Sequence, residues 1–166
     1  MARNNSREEI MDFLFAESEL LDSNRLEKWI DMLTEDVVYT IPIRRLVARG
    51  SGEQFDMNGY FAKDDYKSLM ARVARLKKES AWTEEVPSPT RHFISNIRIE
   101  KSDEGETTVK SNVLVLRYSN GGNTVIMISG ERLDKIVNEN GKLKLSNRTV
   151  FLDRNTLNSD GLTYII

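Results

Sequence analysis

One histidine, His92, lies in the segment AWTEEVPSPTRHFISNIRI (81–99), next to Arg91 and close in sequence to Trp82, Glu84, Glu85 and Asn96. Imidazole is the only side chain whose unperturbed titration falls near neutral pH, so proton transfer is the first chemistry this segment suggests. A histidine base works when a carboxylate orients it. Asp31, Asp36, Glu84 and Glu85 are the candidate partners. With Tyr39 and an aspartate, His92 would form the acid–base set of a small dehydratase or isomerase acting on a hydrophobic ketone or alcohol. The plainer reading is a histidine hydrogen-bonded for structure or at an interface.

Other side chains offer binding rather than bond-making. Arg91 falls on the opposite strand face from His92. Arg98 follows on the same strand and Arg117, Arg132 and Arg148 on later ones, where arginine can bind an anion or pair with a carboxylate. Asp134 and Asp153 are close enough in the strand pattern for cross-strand ion pairs, and most of these arginines are expected to be solvated or locally paired. Trp82, Phe93, Tyr39, Tyr60, Phe61 and Phe151 could line an aromatic pocket, but such alternating aromatics usually fill a core. The closing run LTYII (162–166) is too apolar to stand in water. Tyr164, Ile165 and Ile166 either pack on their own domain or enter a subunit interface.

What the chain lacks narrows the field. It has no cysteine and one histidine. A Rieske cluster takes two thiolates and two imidazoles, and other iron–sulfur clusters take thiolates, so this chain supplies neither set. The two-histidine facial triad of a non-haem iron oxygenase is equally out of reach, and a zinc site has almost no donors. No GxGxxG, GxxxxGK[ST] or GxSxG motif occurs. The balance of 24 basic and 26 acidic side chains gives a net charge of −2, which disfavours nucleic acid or an anionic membrane as partner. No apolar run approaches the roughly 20 residues of a bilayer span. MARNNSREEIMDF does not read as a signal peptide, and with no cysteine a cytoplasmic location is the default.

The elements that must position these residues follow from periodicity. A length of 166 residues suits one domain, 1–166, with 39% hydrophobic and 30% charged residues. Ser6 and Glu9 form a capping box. Ile10, Phe13, Leu14, Glu17, Leu20 and Leu21 follow at helical spacing, with Glu17 the one polar member of that stripe. DSN (22–24) ends this helix and caps a second short one bearing Leu26, Trp29, Ile30 and Leu33. Val37, Tyr39 and Ile41 alternate, and Pro42 marks an edge or terminating strand. Residues 44–62 carry Gly50, Gly52 and Gly59 without a period and read as a long loop. A third helix starts near Asp64 and buries Tyr66, Leu69, Met70, Val73 and Leu76 or their neighbours. Four strands follow at 90–100, 108–119, 124–137 and 142–153, with hairpin turns at NGGN (120–123) and Asn140-Gly141. The predicted order α-α-β-α-β-β-β-β gives an α+β fold: a strongly bent antiparallel sheet wrapped over a long helix as a cone.

Three blocks carry a resemblance over nearly the whole chain. FLFAESELLDSNRLEKWIDMLTEDVVYTIPIRR (13–45) contains E-x-x-L-L-D, W-x-x-x-L and Y-x-x-P-x-R. DDYKSLMARVARLKKESAWTEEVPSPTRHFISNIRI (64–99) is the most specific, and GERLD (130–134), RTVFLD (148–153) and the apolar tail close the series. In this order the chain resembles the small (beta) subunit of aromatic-ring-hydroxylating dioxygenases, the Rieske non-haem iron oxygenases. The resemblance implies the cone-shaped nuclear-transport-factor-2-like (NTF2-like, cystatin-like) fold. It implies a heterohexamer of three large (alpha) and three small subunits, with self-trimer contacts among the small ones. The Rieske [2Fe-2S] cluster and mononuclear Fe(II) belong to the large subunit, and NADH-derived electrons arrive through a reductase and usually a ferredoxin. Such enzymes add both atoms of O2 to an arene, giving a cis-dihydrodiol. Carried onto this sequence, Trp82, Glu84, Pro87, Ser88, Thr90, Arg91, His92, Ser95 and Asn96 become scaffold and subunit-contact residues, joined by Arg148, Asp153, Tyr164, Ile165 and Ile166. Pro89 departs from the arginine many relatives carry there. The IPIRR segment and the loop after it look more like naphthalene, biphenyl or toluene-type members than benzoate-type ones.

Overall fold

The computed structural model describes residues 5–50, 52–83, 88–103, 105–118, 124–157 and 165–166. Helix α1 (Arg7–Asp22) opens on the expected capping box: Ser6 Oγ accepts from the Glu9 amide, and the Glu9 carboxylate accepts from the Ser6 amide. Its stripe of Ile10, Phe13, Leu14 and Leu21 is buried, and Glu17 is buried with it. Asp22 ends α1 but does not cap α2 (Leu26–Ile30), whose N-cap position is Arg25, with no side-chain hydrogen bond to the helix amides. Asn24 turns the chain instead, in the left-handed region at φ 54° that asparagine tolerates.

Six strands form one sheet in the order β2-β1-β6-β5-β4-β3. These are β1 (Leu33–Arg44), β2 (Phe55–Asp64), β3 (Thr90–Asp103), β4 (Glu106–Tyr118), β5 (Val125–Glu139) and β6 (Lys142–Leu152), with α3 (Tyr66–Thr83) between β2 and β3. Strands β3 to β6 run as an antiparallel meander, while β6 pairs with β1 in parallel. Of the two expected hairpin turns, the one before β6 is found, with Gly141 at φ 82° following Asn140 at φ 53°; β3 and β4 are joined by a further antiparallel connection that the sequence reading did not name. Residues 119–123, with the NGGN turn, lie outside the described residues.

Two expectations are corrected. The long loop is interrupted by β2, a sheet-edge strand whose only fully buried residue is Ala62. Its sequence, FDMNGYFAKD, lacks alternation because most of its residues are half-buried rather than split between a buried and an exposed face. Pro42 therefore lies not on an edge strand but inside β1, at a bulge where the pairing to β2 slips on both sides of it. A proline without an N–H is tolerated at such a break.

Bending of the sheet follows from strand length and bulges. Strands of 14, 13 and 15 residues (β3, β4 and β5) are too long to lie flat across a chain of this size. β3 bulges between Ser95 and Arg98, with Asn96 at φ 53°, and β5 slips against β6 between Lys135 and Ile136. Helix α1 packs on β3, α3 packs on β1 and β2, and α2 touches both of these helices. Within α3, Leu69 and Val73 are buried while Met70 is half exposed, which corrects its place in the expected core.

Candidate functional site

The inward face of the sheet carries a buried ion cluster. Inward positions alternate on each strand: Ser111, Val113 and Val115 on β4, Gly130, Arg132 and Asp134 on β5, and Arg148, Val150 and Leu152 on β6. Arg148 and Asp134 are register partners, so the guanidinium reaches the carboxylate across the ladder. Its Nε donates to Asp134 Oδ1 at 2.8 Å and its Nη2 to Oδ2 at 2.9 Å. Its other edge grips Glu17 of α1, Nη1 to Oε1 at 2.7 Å and Nη2 to Oε2 at 2.8 Å. Trp29 Nε1 of α2 donates to Glu17 Oε1 at 3.0 Å, and Arg132 Nη2 donates to Glu17 Oε2 at 3.3 Å. Two carboxylates and two guanidiniums thus sum to zero charge, with Glu17 1% exposed and the other three fully buried.

The electrostatics are asymmetric. Burial alone would raise the Glu17 pKa, but Arg148 and then Arg132 outweigh it and bring the carboxyl down to about 2. Burial likewise opposes the charge on Arg148, and Asp134 and Glu17 overcome it, so its pKa is raised. Arg132 is lowered, first by burial and then by repulsion from Arg148, because Arg148 holds the better contacts to both carboxylates. Burial raises Tyr39, whose hydroxyl donates to the main-chain oxygen of Ile166 at 2.5 Å.

The second polar contact set surrounds His92. Its ring is buried, and Nδ1 lies 2.6 Å from Oδ1 of Asp22, the last residue of α1. Asp22 also accepts from the His92 main-chain N–H at 3.0 Å and lies 3.6 Å from the Arg91 guanidinium. Asp31 and Asp36, expected as partners, are exposed, and Glu84 and Glu85 lie outside the described residues. His92 Nε2, the nitrogen that would face a substrate, is 2.9 Å from the Ile165 main-chain oxygen. Ile165 and Ile166 are buried in the chain's own core. A proton-transfer pair is present, but its outer nitrogen is occupied by the chain itself.

The remaining sequence-selected residues scatter. Thr90 opens β3 half-buried, Arg91 projects outward, and Asn96 makes the β3 bulge. Asp153 accepts from Ser129 Oγ at 2.7 Å on the outer side of the sheet. Trp82 lies in the last turn of α3, its side chain outside the described residues, as are Glu84, Pro87 and Tyr164. The aromatic set does not converge. Tyr39 is buried, Phe151 packs edge-on against Phe55 at 4.9 Å, and Phe93 is 50% exposed. Arg148 makes the expected cross-strand ion pair with Asp134, but Arg132 and Arg148 are buried and also reach Glu17 of α1, rather than being solvated. Sequence reading missed Asp22 as a partner and Trp29 as a donor, although E-x-x-L-L-D holds both Glu17 and Asp22.

No set of donors fits the iron centres of a Rieske oxygenase. The chain has no thiolate, both nitrogens of its single imidazole are engaged, and no metal-binding group of three or more His, Cys, Asp or Glu occurs among the described residues. No helix among the described residues is long and apolar enough to cross a membrane.

The motif fragments GERLD, RTVFLD, E-x-x-L-L-D and W-x-x-x-L meet in space at the ion cluster. The family described as "Ring hydroxylating beta subunit" matches residues 16–159. The chain belongs to that family. It is 35% identical to the small oxygenase component of the p-cumate 2,3-dioxygenase system of Pseudomonas putida, over 97% of this chain and 87% of that one. A solved naphthalene 1,2-dioxygenase with indole in its active site superposes at TM-score 0.82 with 23% identity, covering 96% of this chain and 85% of that one. A putative scytalone dehydratase from Novosphingobium aromaticivorans DSM 12444 superposes at 0.65 with 20% identity, covering 89% and 83%. Both superpositions bear out the α+β, NTF2-like fold.

Proposed function

We propose that this beta subunit is the non-catalytic member of an arene dioxygenase and acts by assembly. Its partner is a large alpha subunit that carries the Rieske [2Fe-2S] cluster and the mononuclear Fe(II), in a cytoplasmic heterohexamer of three large and three small subunits. Electrons from NADH reach the complex through a reductase and ferredoxin, and the reaction adds both atoms of O2 to a one- or two-ring arene, giving a cis-dihydrodiol. The observation that carries this reading is the neutral, solvent-excluded ion cluster of Glu17, Arg132, Asp134 and Arg148 on the inward sheet face. It ties α1 rigidly to β5 and β6 and puts fixed ion pairs where a cone enzyme would hold substrate.

Surface chemistry supports the same reading. Phe93, Leu114, Leu116 and Met127 occupy adjoining outward positions, since Phe93 pairs with Leu114 and Leu116 with Met127 in the register. Phe93 and Met127 are 50% and 53% exposed. Large apolar side chains grouped on an open sheet face mark an interaction surface. An obligate contact of this kind buries more than about 2,000 Å².

The acid–base reading has one observation in its favour, the Asp22–His92 pair. It requires a free Nε2, and Ile165 holds that atom. Native mass measurement with metal analysis tests both readings, on this chain alone and co-expressed with a Rieske-type large subunit from the same source. A metal-free chain that joins an iron-loaded hexamer, with arene oxidation only in the complex, is expected. A monomer or dimer that ignores the large subunit overturns the proposal and favours a screen for dehydratase activity.

A further inference from the structure

The Arg132 guanidinium is only partly matched by the chain around it. It is fully buried, and its Nη2 donates to Glu17 Oε2 at 3.3 Å and lies 3.6 Å from Asp134 Oδ2. Its Nε and Nη1 have no acceptor among the described residues. Ser111, the register partner of Arg132 on β4, is also fully buried, and its Oγ has no partner among them either. Directly opposed residues on one sheet face stand about 4.5–5.5 Å apart at Cβ, so the hydroxyl and the guanidinium border the same interior space. The neighbouring side chains offer no acceptor. Val109 and Val113 flank Ser111 on the inward face of β4, Val150 is the partner of Arg132 on β6, and Gly130 is the inward position before it on β5. Both nearby carboxylates are already gripped by Arg148, each through two N–H groups. A buried donor left without an acceptor costs the full desolvation of that group, and more when the group is charged.

We infer that Arg132 and Ser111 form a buried site for a small neutral oxygen ligand, and that solvent water fills it. The ligand must accept, because every open position on the guanidinium is a donor. Charge then selects between an anion and water. Glu17, Asp134, Arg132 and Arg148 already sum to zero. An anion would leave one negative charge uncompensated in the interior, beside two carboxylates, and that is heavily penalised. Water adds no charge. It accepts from the guanidinium and donates to Ser111 Oγ, and a buried water takes roughly two to four such partners. Nε–H and Nη1–H leave the planar guanidinium in different directions, so a separate water serves each, with Ser111 bonding to one of them. The site extends the ion cluster and is independent of which subunits assemble, so it stands or falls apart from the assembly proposal.

Oxygen-17 magnetic relaxation dispersion of the whole chain counts the waters held longer than the molecule tumbles, and Ser111→Val tests where they sit. Valine fills the space around the hydroxyl with methyl groups and offers no hydrogen bond. The dispersion amplitude is expected to fall by about one long-lived water relative to the unaltered chain, with circular dichroism unchanged. Long-lived waters elsewhere in the molecule cancel in the difference. Equal amplitudes in the two folded proteins overturn the inference. If Ser111→Val does not fold, the unaltered chain decides: NMR cross-relaxation between water and the Arg132 Nε–H proton is expected, and a resolved Nε–H signal without it overturns the inference. Chloride is the probe for the other occupant. Saturable broadening of the chloride-35 resonance by the unaltered chain, lost in Ser111→Ala, replaces water with an anion and overturns the inference as well.

Discussion

Glu17 shows how one residue is decided by its surroundings. It is the single polar residue on the apolar stripe of α1, a position that reads as an error until Arg148, Arg132 and Trp29 are placed around it. Removing one partner from a buried ion pair costs about 3–5 kcal/mol, because the other is left charged without compensation. Glu17→Gln should lose stability of that order in urea unfolding. The pH dependence has a definite sign. A carboxyl lowered from 4.5 to about 2 contributes stability that is fully present above about pH 5 and is lost as pH falls toward 2, in total on the order of 3 kcal/mol. Urea midpoints taken down that range should fall more steeply for the unaltered chain than for Glu17→Gln; parallel acid limbs would remove Glu17 from the account. The sequence marked Glu17 as out of place, yet its partner Arg148 is 131 residues away, and only the fold closes that distance.

At the scale of elements, β5 and β6 must approach closely to hold Arg148 against Asp134. Gly130 makes this possible: a Cβ there would stand 2.5 Å from the Phe151 main-chain oxygen and 3.1 Å from Leu152 Cα. Main-chain atoms cannot swing aside as a flexible side chain does, so Gly130→Ala is an overpacking change costing about 1–3 kcal/mol. Thermal unfolding should report it, with an unchanged melting temperature counting against the close approach. The antiparallel meander β3–β6 was legible because alternation and Asn-Gly turns are local signals. Strand β2 was not, since an edge strand that is mostly half-buried has no clear burial period to read. The parallel β1–β6 pairing joins strands about a hundred residues apart and has no local signature at all.

For the whole molecule, the proposed division of labour is between an inward face that is closed and an outward face that is open. Met127→Lys places a charge on the apolar outer patch without touching the inward face. The expected result is unchanged circular dichroism and melting, with subunit association weakened at least tenfold in native mass measurements, since an unpaired charge in an interface core is poorly tolerated. Association at the unaltered level would move the contact surface elsewhere on the chain.

The sequence by itself determined what this chain cannot hold. No cysteine and one histidine rule out the iron centres wherever the residues lie in space, because a donor set is a property of composition. It also determined the family, since the motif fragments occur in order along the chain. Tertiary structure alone decided which residues meet. Asp22 rather than a nearer acid faces His92, and the segment ending at Ile166 closes the inner site. Arg132, Asp134 and Arg148 turn inward around Glu17 instead of outward to water. The physical reason is separation: helical and strand periods act over a few residues, whereas charge compensation in a buried interior depends on side chains brought together from α1, α2, β5 and β6.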